Sequence, residues 1–509
     1  MSGREALVTW GVAWCALVAA PPARGQPVEK VAFGSKAFPE SWILGEALTR
    51  LARRDTTVKA EHLSNLGGTE IVHEALRGGS VDAYPEYTGT IAEVILKAPD
   101  RPSLADMRRA LEPQGIGISD PLGFNNTYAL AVTEATGRRL GLATISDLAR
   151  HPELRLGLTH EFIGRKDGFP GLAQRYGLRM REVRGIQHEL AYDALVSGKI
   201  DVTDIYTTDA QIARLGLKVL ADDRHFFPRY DAVVLYRLDL ARRAPGALKE
   251  MSRLVGAIDE ARMIRANVRV VLDKHSFQSA AAELLAEVGT PESASTVSAP
   301  RSVAGEILRN TVQHLRLVAT SLLAAIVIGI PLGVVATRTP LLAALTLSGA
   351  GLLQTIPSLA LLAFLIPFFG VGIIPSLIAL FLYSLLPIVR NTYIGLTTIS
   401  PPLAESARAL ALSRRAQLLW VDLPMAAPAI MAGIKISAVI NVGTATLAAL
   451  IGAGGLGDPI LSGIQLKQRG LILEGAVPAA LLALLVQWGF DQLDRVVVPR
   501  GLRLPRPRE

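Results

Sequence analysis

Five apolar stretches, at about residues 312–335, 342–368, 374–394, 426–450 and 471–491, dominate the C-terminal part of this 509-residue chain. Crossing the hydrocarbon core of a bilayer takes about 20 residues of helix, so each stretch is long enough to span. Lipid offers backbone groups no partners, which restricts such segments to helices packed side by side. The second stretch exceeds one span and contains Pro357 and Pro367, so its boundaries stay open. Basic residues assign an orientation. Arg338, then Arg390, Arg408, Arg414 and Arg415, then Arg495, Arg500, Arg503, Arg506 and Arg508 fall on one side of five spans, the side expected inside. Lys467 and Arg469 fall on the other side and disagree. Lys435, in or near the fourth stretch, is either a functional intramembrane charge or a side chain snorkelling inward. Its nearness to the preceding basic loop favours the second.

Half of all residues are apolar and the mean hydropathy is +0.34, a balance that suits a partly membranous chain. Lys and Arg total 53 against 45 Asp and Glu. Much of that mild excess lies near membrane ends, so nucleic acid is not an expected partner. Residues 1–25 carry Arg4, an apolar run from Leu7 to Ala20, then Pro21-Pro22-Ala23-Arg24-Gly25. This pattern predicts an export leader cut before Gln26, with an uncleaved anchor as the alternative. Cys15, the one cysteine, follows bulky Trp14, which disfavours lipoprotein processing. A chain without it fits an exported domain that needs no disulfides.

Ahead of the spans, short apolar runs alternate with helical stripes. Val31-Ala32-Phe33 reads as a strand, and Ile43, Leu44, Ala47, Leu48 and Leu51 share one helical face. Thr69 opens a second helix that ends at Gly78-Gly79. Strands alternating with helices predict α/β lobes with ligand at the carboxyl ends of the strands. The pattern also echoes itself. Ala75-Leu76-x-x-Gly79-x-Val81-Asp82-Ala83 returns as Ala194-Leu195-x-x-Gly198-x-Ile200-Asp201-Val202, and Tyr87-Thr88 falls on Tyr206-Thr207. Either two similar lobes each aim a tyrosine into a shared cleft, or two α/β units match by chance.

Five segments carry a family resemblance: Gly34-Ser35-Lys36-Ala37-Phe38-Pro39-Glu40, Leu66-Gly67-Gly68-Thr69, Asp82-Ala83-Tyr84-Pro85-Glu86-Tyr87-Thr88-Gly89-Thr90, Phe124-Asn125-Asn126-Thr127-Tyr128, and Glu161-Phe162-x-x-Arg165-x-Asp167-Gly168. Over about residues 28–285 the chain resembles the substrate-binding proteins for glycine betaine, choline and related quaternary-amine osmolytes. The resemblance implies a two-lobed periplasmic-binding-protein fold (type II) that closes about a hinge. A trimethylammonium group has no N–H to donate, so ring faces hold it best, at roughly 0.5–2 kcal/mol per contact. The family's cage then falls on Tyr87, Tyr128, Tyr206 and Tyr230. Its carboxylate clamp falls on Lys36 and Arg165 with Thr90 assisting, and Asn126 falls where the family often supplies a polar or backbone contact to the cation. Tyr84, Trp42 and Phe162 read as packing. Glu86 and Glu161 suit a ligand without a carboxylate, such as choline, which leaves the clamp less secure than the cage.

Residues 289–300 are small, hydroxyl-rich and hold Pro291 and Pro300, and they read as a tether. A tether of that length reaches about 40 Å at full stretch and keeps the receptor at roughly millimolar effective concentration over its own pore. In the basic loop, Glu405, Ser406, Ala407, Ala411, Leu423 and Pro424 resemble the ATPase-coupling loop of ABC importer permeases, with Ser406 in place of an alanine and Ala411 in place of a glycine. The small-residue run Gly443–Gly457 resembles the osmolyte permeases and suits close helix packing. No Gly-x-x-x-x-Gly-Lys-Ser/Thr motif occurs, so ATP must be used by a separate subunit. The eight histidines lack metal-ligand spacing and read as surface or capping residues.

These readings combine into one expectation: a leader (1–25), a substrate-binding domain (26–288), a linker (289–303), a permease domain (304–498) of about five transmembrane helices and a basic tail (499–509). The resemblance implies a subunit of an ABC importer, a permease homodimer in a bacterial inner membrane with the receptor on the outer side. It needs no cofactor of its own. The alternatives are import of another trimethylated solute (carnitine or an ergothioneine-like betaine) or a membrane solute receptor that does not transport. An enzyme is not expected, since the polar residues of the cleft offer no nucleophile–base pair.

Overall fold

The computed structural model describes residues 29–98, 102–290, 302–402, 405, 412–466 and 468–498. The expected leader, most of the tether, the basic tail, and Ser406, Ala407 and Ala411 of the coupling loop lie outside the described residues.

The first lobe is a five-stranded sheet in the order β2-β1-β3-β10-β4, built from β1 (Glu29–Gly34), β2 (Val58–Leu63), β3 (Ala83–Tyr87), β4 (Ile116–Ile118) and β10 (Ala232–Arg237). The second lobe pairs β6 (Arg155–Thr159) with β7 (Glu182–Ile186), and β8 (Thr203–Tyr206) with β5 (Tyr128–Thr133) and β9 (Leu217–Leu220). A bridge from Leu156 to Val202 joins the two ribbons. The resulting order, β7-β6-β8-β5-β9, repeats the first lobe strand for strand, parallel pairs followed by antiparallel ones.

The sequence echo is thus a structural one. Asp82 accepts the backbone N–H of Ala32 at 2.8 Å, and Asp201 accepts that of Arg155 at 2.9 Å. In both copies the glycine that ends the preceding helix has positive φ, 77° at Gly79 and 69° at Gly198, a conformation that favours glycine. Both units deliver a tyrosine at the end of the strand, Tyr87 on β3 and Tyr206 on β8.

The chain crosses between lobes twice, and the crossings run antiparallel. Asn125 bridges Asp231, Asn126 N donates to Tyr230 O at 3.0 Å, and Ala232 N donates to Phe124 O at 3.1 Å. Two extended segments joined by a few ladder bonds make a hinge. The helix Pro39–Ala52 is buried along its whole length under the helices of residues 245–287, which cover that side of the first lobe.

In the membrane half, among the described residues, four helical segments are long and apolar enough to span, Val303–Ala336, Ile373–Thr397, Arg414–Ile451 and Arg469–Val497. The long second stretch resolves into Pro340–Thr355 and Ser358–Phe369, bent by 97° at a break just before Ser358. Pro357 disfavours helix at the residue before it, which accounts for the break. Close crossings depend on small residues: a Cβ on Gly333 would lie 2.5 Å from Thr392, and one on Gly433 would lie 2.6 Å from the Pro387 carbonyl. Buried polar bonds tie the same helices, from Asn441 to Ser321 at 3.1 Å and from Ser437 to the Ser384 carbonyl at 2.9 Å. Lys435 pairs with Asp491 on the last span, so its charge is matched within the bundle rather than by snorkelling alone. The histidines depart from the surface reading: His314 is fully buried against the Val442 carbonyl at 2.9 Å, and His73 is also buried.

The receptor sits on the permease through its first lobe. Ile71 packs beside Leu361 and Leu365, Ser80 Oγ accepts from Val371 N at 3.3 Å, and Leu66 abuts Gly452. Here the glycine-rich run has a role beyond helix packing. Gly452, Gly454 and Gly455 all have positive φ and form the turn that receives the receptor. A Cβ on Gly452 would lie 2.6 Å from Leu66 Cδ2. Gly452→Val is therefore expected to part the halves, so that crosslinking of Ser80→Cys to Val371→Cys in membranes loses most of its yield while the chain inserts normally.

Candidate functional site

The cleft between the lobes encloses a cavity of about 270 Å³. Tyr87 reaches it from the end of β3, Tyr128 from the start of β5 and Tyr206 from the end of β8. Tyr230 comes from the returning hinge segment. Antiparallel register sets Tyr128 opposite Tyr206, and their rings lie 5.1 Å apart. Tyr230 meets Tyr128 edge-on at 5.7 Å. Phe38 closes the series, 6.3 Å from Tyr206 and 6.4 Å from Tyr87. Five rings therefore run around one hollow. Gly89 is required beneath them, since a Cβ there would lie 2.4 Å from the Tyr230 ring.

The hydroxyls are anchored behind the rings. Tyr87 donates to Glu40 at 2.6 Å and Tyr230 donates to Asp167. Burial raises the phenols of Tyr87, Tyr128 and Tyr230 well above the ordinary tyrosine range, so these rings stay neutral donors. Glu40 is a hub: Asn126 and Asn267 donate to it at 2.9 and 2.8 Å, and Thr208 donates at 2.6 Å. Burial pushes its pKa up, opposed by these four donors. One carboxylate thus joins the first lobe, the hinge and the loop after β8.

The protein's own cations lie against the same rings. Lys36 Nζ is 5.2 Å from the Tyr87 centroid and 5.5 Å from Phe38, and it is held by Glu86 at 2.5 Å. The Arg165 guanidinium is 5.6 Å from Tyr128 and 6.0 Å from Tyr230. Burial works against its charge, but paired bonds to Asp167 at 2.8 and 2.5 Å prevail and raise its pKa. Of the residues expected from the sequence, Lys36, Tyr87, Thr90, Asn126, Tyr128, Tyr206 and Tyr230 line the cavity. Arg165 does not; Asp167 draws it behind Tyr128 and Tyr230. Tyr84, Trp42 and Phe162 are buried packing residues, with Phe162 backing Tyr128 at 5.0 Å.

Phe38, His188 and Glu40 were not foreseen. Phe38 stands inside a motif quoted above, so its signal was present. His188 lies 4.8 Å from the Tyr206 ring and announces itself nowhere in the sequence. Among the described residues no group of His, Cys, Asp or Glu could hold a metal ion. At the basic loop, Glu405 is exposed, and Leu423 and Pro424 open the helix Leu423–Thr444.

A hinged two-lobed receptor seated on a bundle of membrane helices defines a solute receptor joined to a permease. Residues 29–287 match the substrate-binding domain of ABC-type glycine betaine transport systems, and residues 325–501 match the inner membrane component of binding-protein-dependent transport systems. Over 200 residues the chain is 43% identical to the carnitine transport permease protein OpuCB of Listeria monocytogenes, covering 39% of this chain and 92% of that protein. It is 31% identical over 256 residues to the carnitine transport binding protein OpuCC of the same species, covering 48% and 83%. It is 34% identical over 262 residues to the ergothioneine transport permease/ergothioneine binding protein EgtU of Helicobacter pylori, covering 50% of this chain and 47% of that protein. The crystal structure of a glycine betaine/carnitine/choline ABC transporter superposes with a TM-score of 0.45 at 33% identity, covering 51% of this chain and 99% of that one. The chain belongs to this family: it is a fused substrate-binding and permease chain of an ABC importer of the glycine betaine, choline and carnitine group, served by an ATPase subunit.

Removing the hub tests the site's foundation. Glu40→Ala leaves four buried donors without their acceptor, each worth about 1–3 kcal/mol. A loss of at least ~3 kcal/mol in receptor stability is expected, read as a lowered unfolding midpoint.

Proposed function

We propose that the solute carries a trimethylated ammonium head and that the rings of Tyr87, Tyr128, Tyr206 and Tyr230, joined by Phe38, receive it. The observation that carries this reading is five rings around one cavity of about 270 Å³, with cations of the chain already drawn to their faces. A quaternary ammonium is weakly hydrated and loses little water on entering such a cage. Lys36 and Thr90 share the cavity with Gly68 and Thr69 at the N-terminus of the helix Thr69–Arg77, whose dipole favours a carboxylate. Glycine betaine fits this division of charge. Glu161 also lines the cavity, and that observation favours choline as a second reading. Arg165 acts through Asp167 and Tyr230, as a positioning group.

The same reading places the receptor on the outer face of a bacterial inner membrane and pairs two copies of the permease over two ATPase subunits. Solute closes the lobes, and ATPase subunits gripping the loop of Glu405, Ser406, Ala407, Ala411, Leu423 and Pro424 swing the spans inward. No chemistry is done on the solute. A receptor that only signals would have no use for such a loop.

Tyr128→Ala with Tyr206→Ala should weaken binding of glycine betaine and choline by about 10- to 100-fold, from two cation–π contacts of about 0.7–1.4 kcal/mol each. Calorimetry showing unchanged affinity would remove the cage. Glu405→Lys should leave that affinity intact and abolish uptake of labelled solute into vesicles that contain the ATPase.

A further inference from the structure

The permease helix Gly457–Gln465 ends at the receptor's cleft. Gln465 lines the same cavity as Tyr87, Tyr128 and Tyr206, and the next residue, Leu466, packs against the receptor's main core. Both are half-buried there. The cavity mouth has Gly67, Gly68 and Thr69 of the first lobe on one side and Glu161, Gln187 and His188 of the second on the other. Among the described residues, Gln465 is the one permease residue on that wall.

Its aim is fixed by the pore. The helix that carries it interlocks with the last span through glycines. A Cβ on Gly463 would lie 2.6 Å from Ile472 N, and one on Gly475 would lie 2.4 Å from the Leu456 carbonyl. No side chain fits there without moving backbone, so the tip and the span Arg469–Val497 shift together. The bonded and packed seam of the docked receptor, at Leu66, Ile71 and Ser80, belongs to the first lobe. A carboxamide can donate to a carboxylate or accept from a hydroxyl, so it serves the polar tail of either solute considered above.

We propose that Gln465 is a solute-contacting, specificity-determining residue supplied by the permease, which completes the receptor's site when the first lobe is docked. This rests on the trimethylammonium reading. The solute site is then composite, and movement of the last span changes it directly.

The test uses the full chain in nanodiscs with glycine betaine and choline as probes. Gln465→Ala should weaken glycine betaine binding about ten- to a hundredfold, the effect of one hydrogen bond to a charged group. Gln465→Glu should shift preference toward choline, because a carboxylate repels the betaine tail. Both effects should vanish in a Gly452→Val background, where docking is broken. Wild-type affinities for both solutes in both Gln465 variants, with the tyrosine-pair variant still defective, would overturn the inference and leave the cage standing. Gln465 effects that persist undiminished beside Gly452→Val would overturn it also. A wild-type chain that binds neither probe removes the cage reading and this inference with it.

Discussion

Electron-rich ring faces attract any cation within reach, and the rest of the site follows from controlling that attraction. Hydrogen bonds cannot select a fully methylated nitrogen; only shape and diffuse charge can. A cleft walled by such faces would otherwise collect the chain's own lysines and arginines. Lys36 and Arg165 do lean on the rings, yet each is tied to a carboxylate, Glu86 or Asp167. The acidic residues around the cavity thus reserve the aromatic surface. They also fix ring orientation, because Glu40 and Asp167 hold the hydroxyls of Tyr87 and Tyr230.

The architecture is one α/β unit used twice, with a hinge between. Repetition of strand order places two strand-end tyrosines, Tyr87 and Tyr206, on opposite sides of the cleft. The hinge adds Asn126 and Tyr230, which are near neighbours through the bond from Asn126 N to Tyr230 O. Glu40 then gathers Tyr87, Asn126, Thr208 and Asn267 onto one buried carboxyl group. Closing the lobes and setting the rings are consequently not separate events.

Much of this was legible in the residues. Tyrosines at the ends of echoed strands, and spans of lipid-crossing length, follow from periodicity and composition. The broken second stretch was visible as excess length with Pro357. Other features were hidden for physical reasons. The partners of Glu40 are scattered from Tyr87 to Asn267, and no local pattern joins them. The resemblance puts Arg165 in the carboxylate clamp, and the pairing with Asp167 two residues away was not foreseen. Buried His314 departs from the surface reading because a ring nitrogen bonded to the Val442 carbonyl is satisfied inside a bundle. The contact of Gln465 with the cleft depends on docking, which no spacing in the chain encodes.

Joining receptor and pore in one chain has a kinetic consequence. A receptor held at Leu66, Ile71 and Ser80 stays beside the helices it is fused to. Capture and release can then cycle without the receptor leaving its station. Uptake in such a machine scales with solute supply and not with receptor supply, since every chain carries its own receptor.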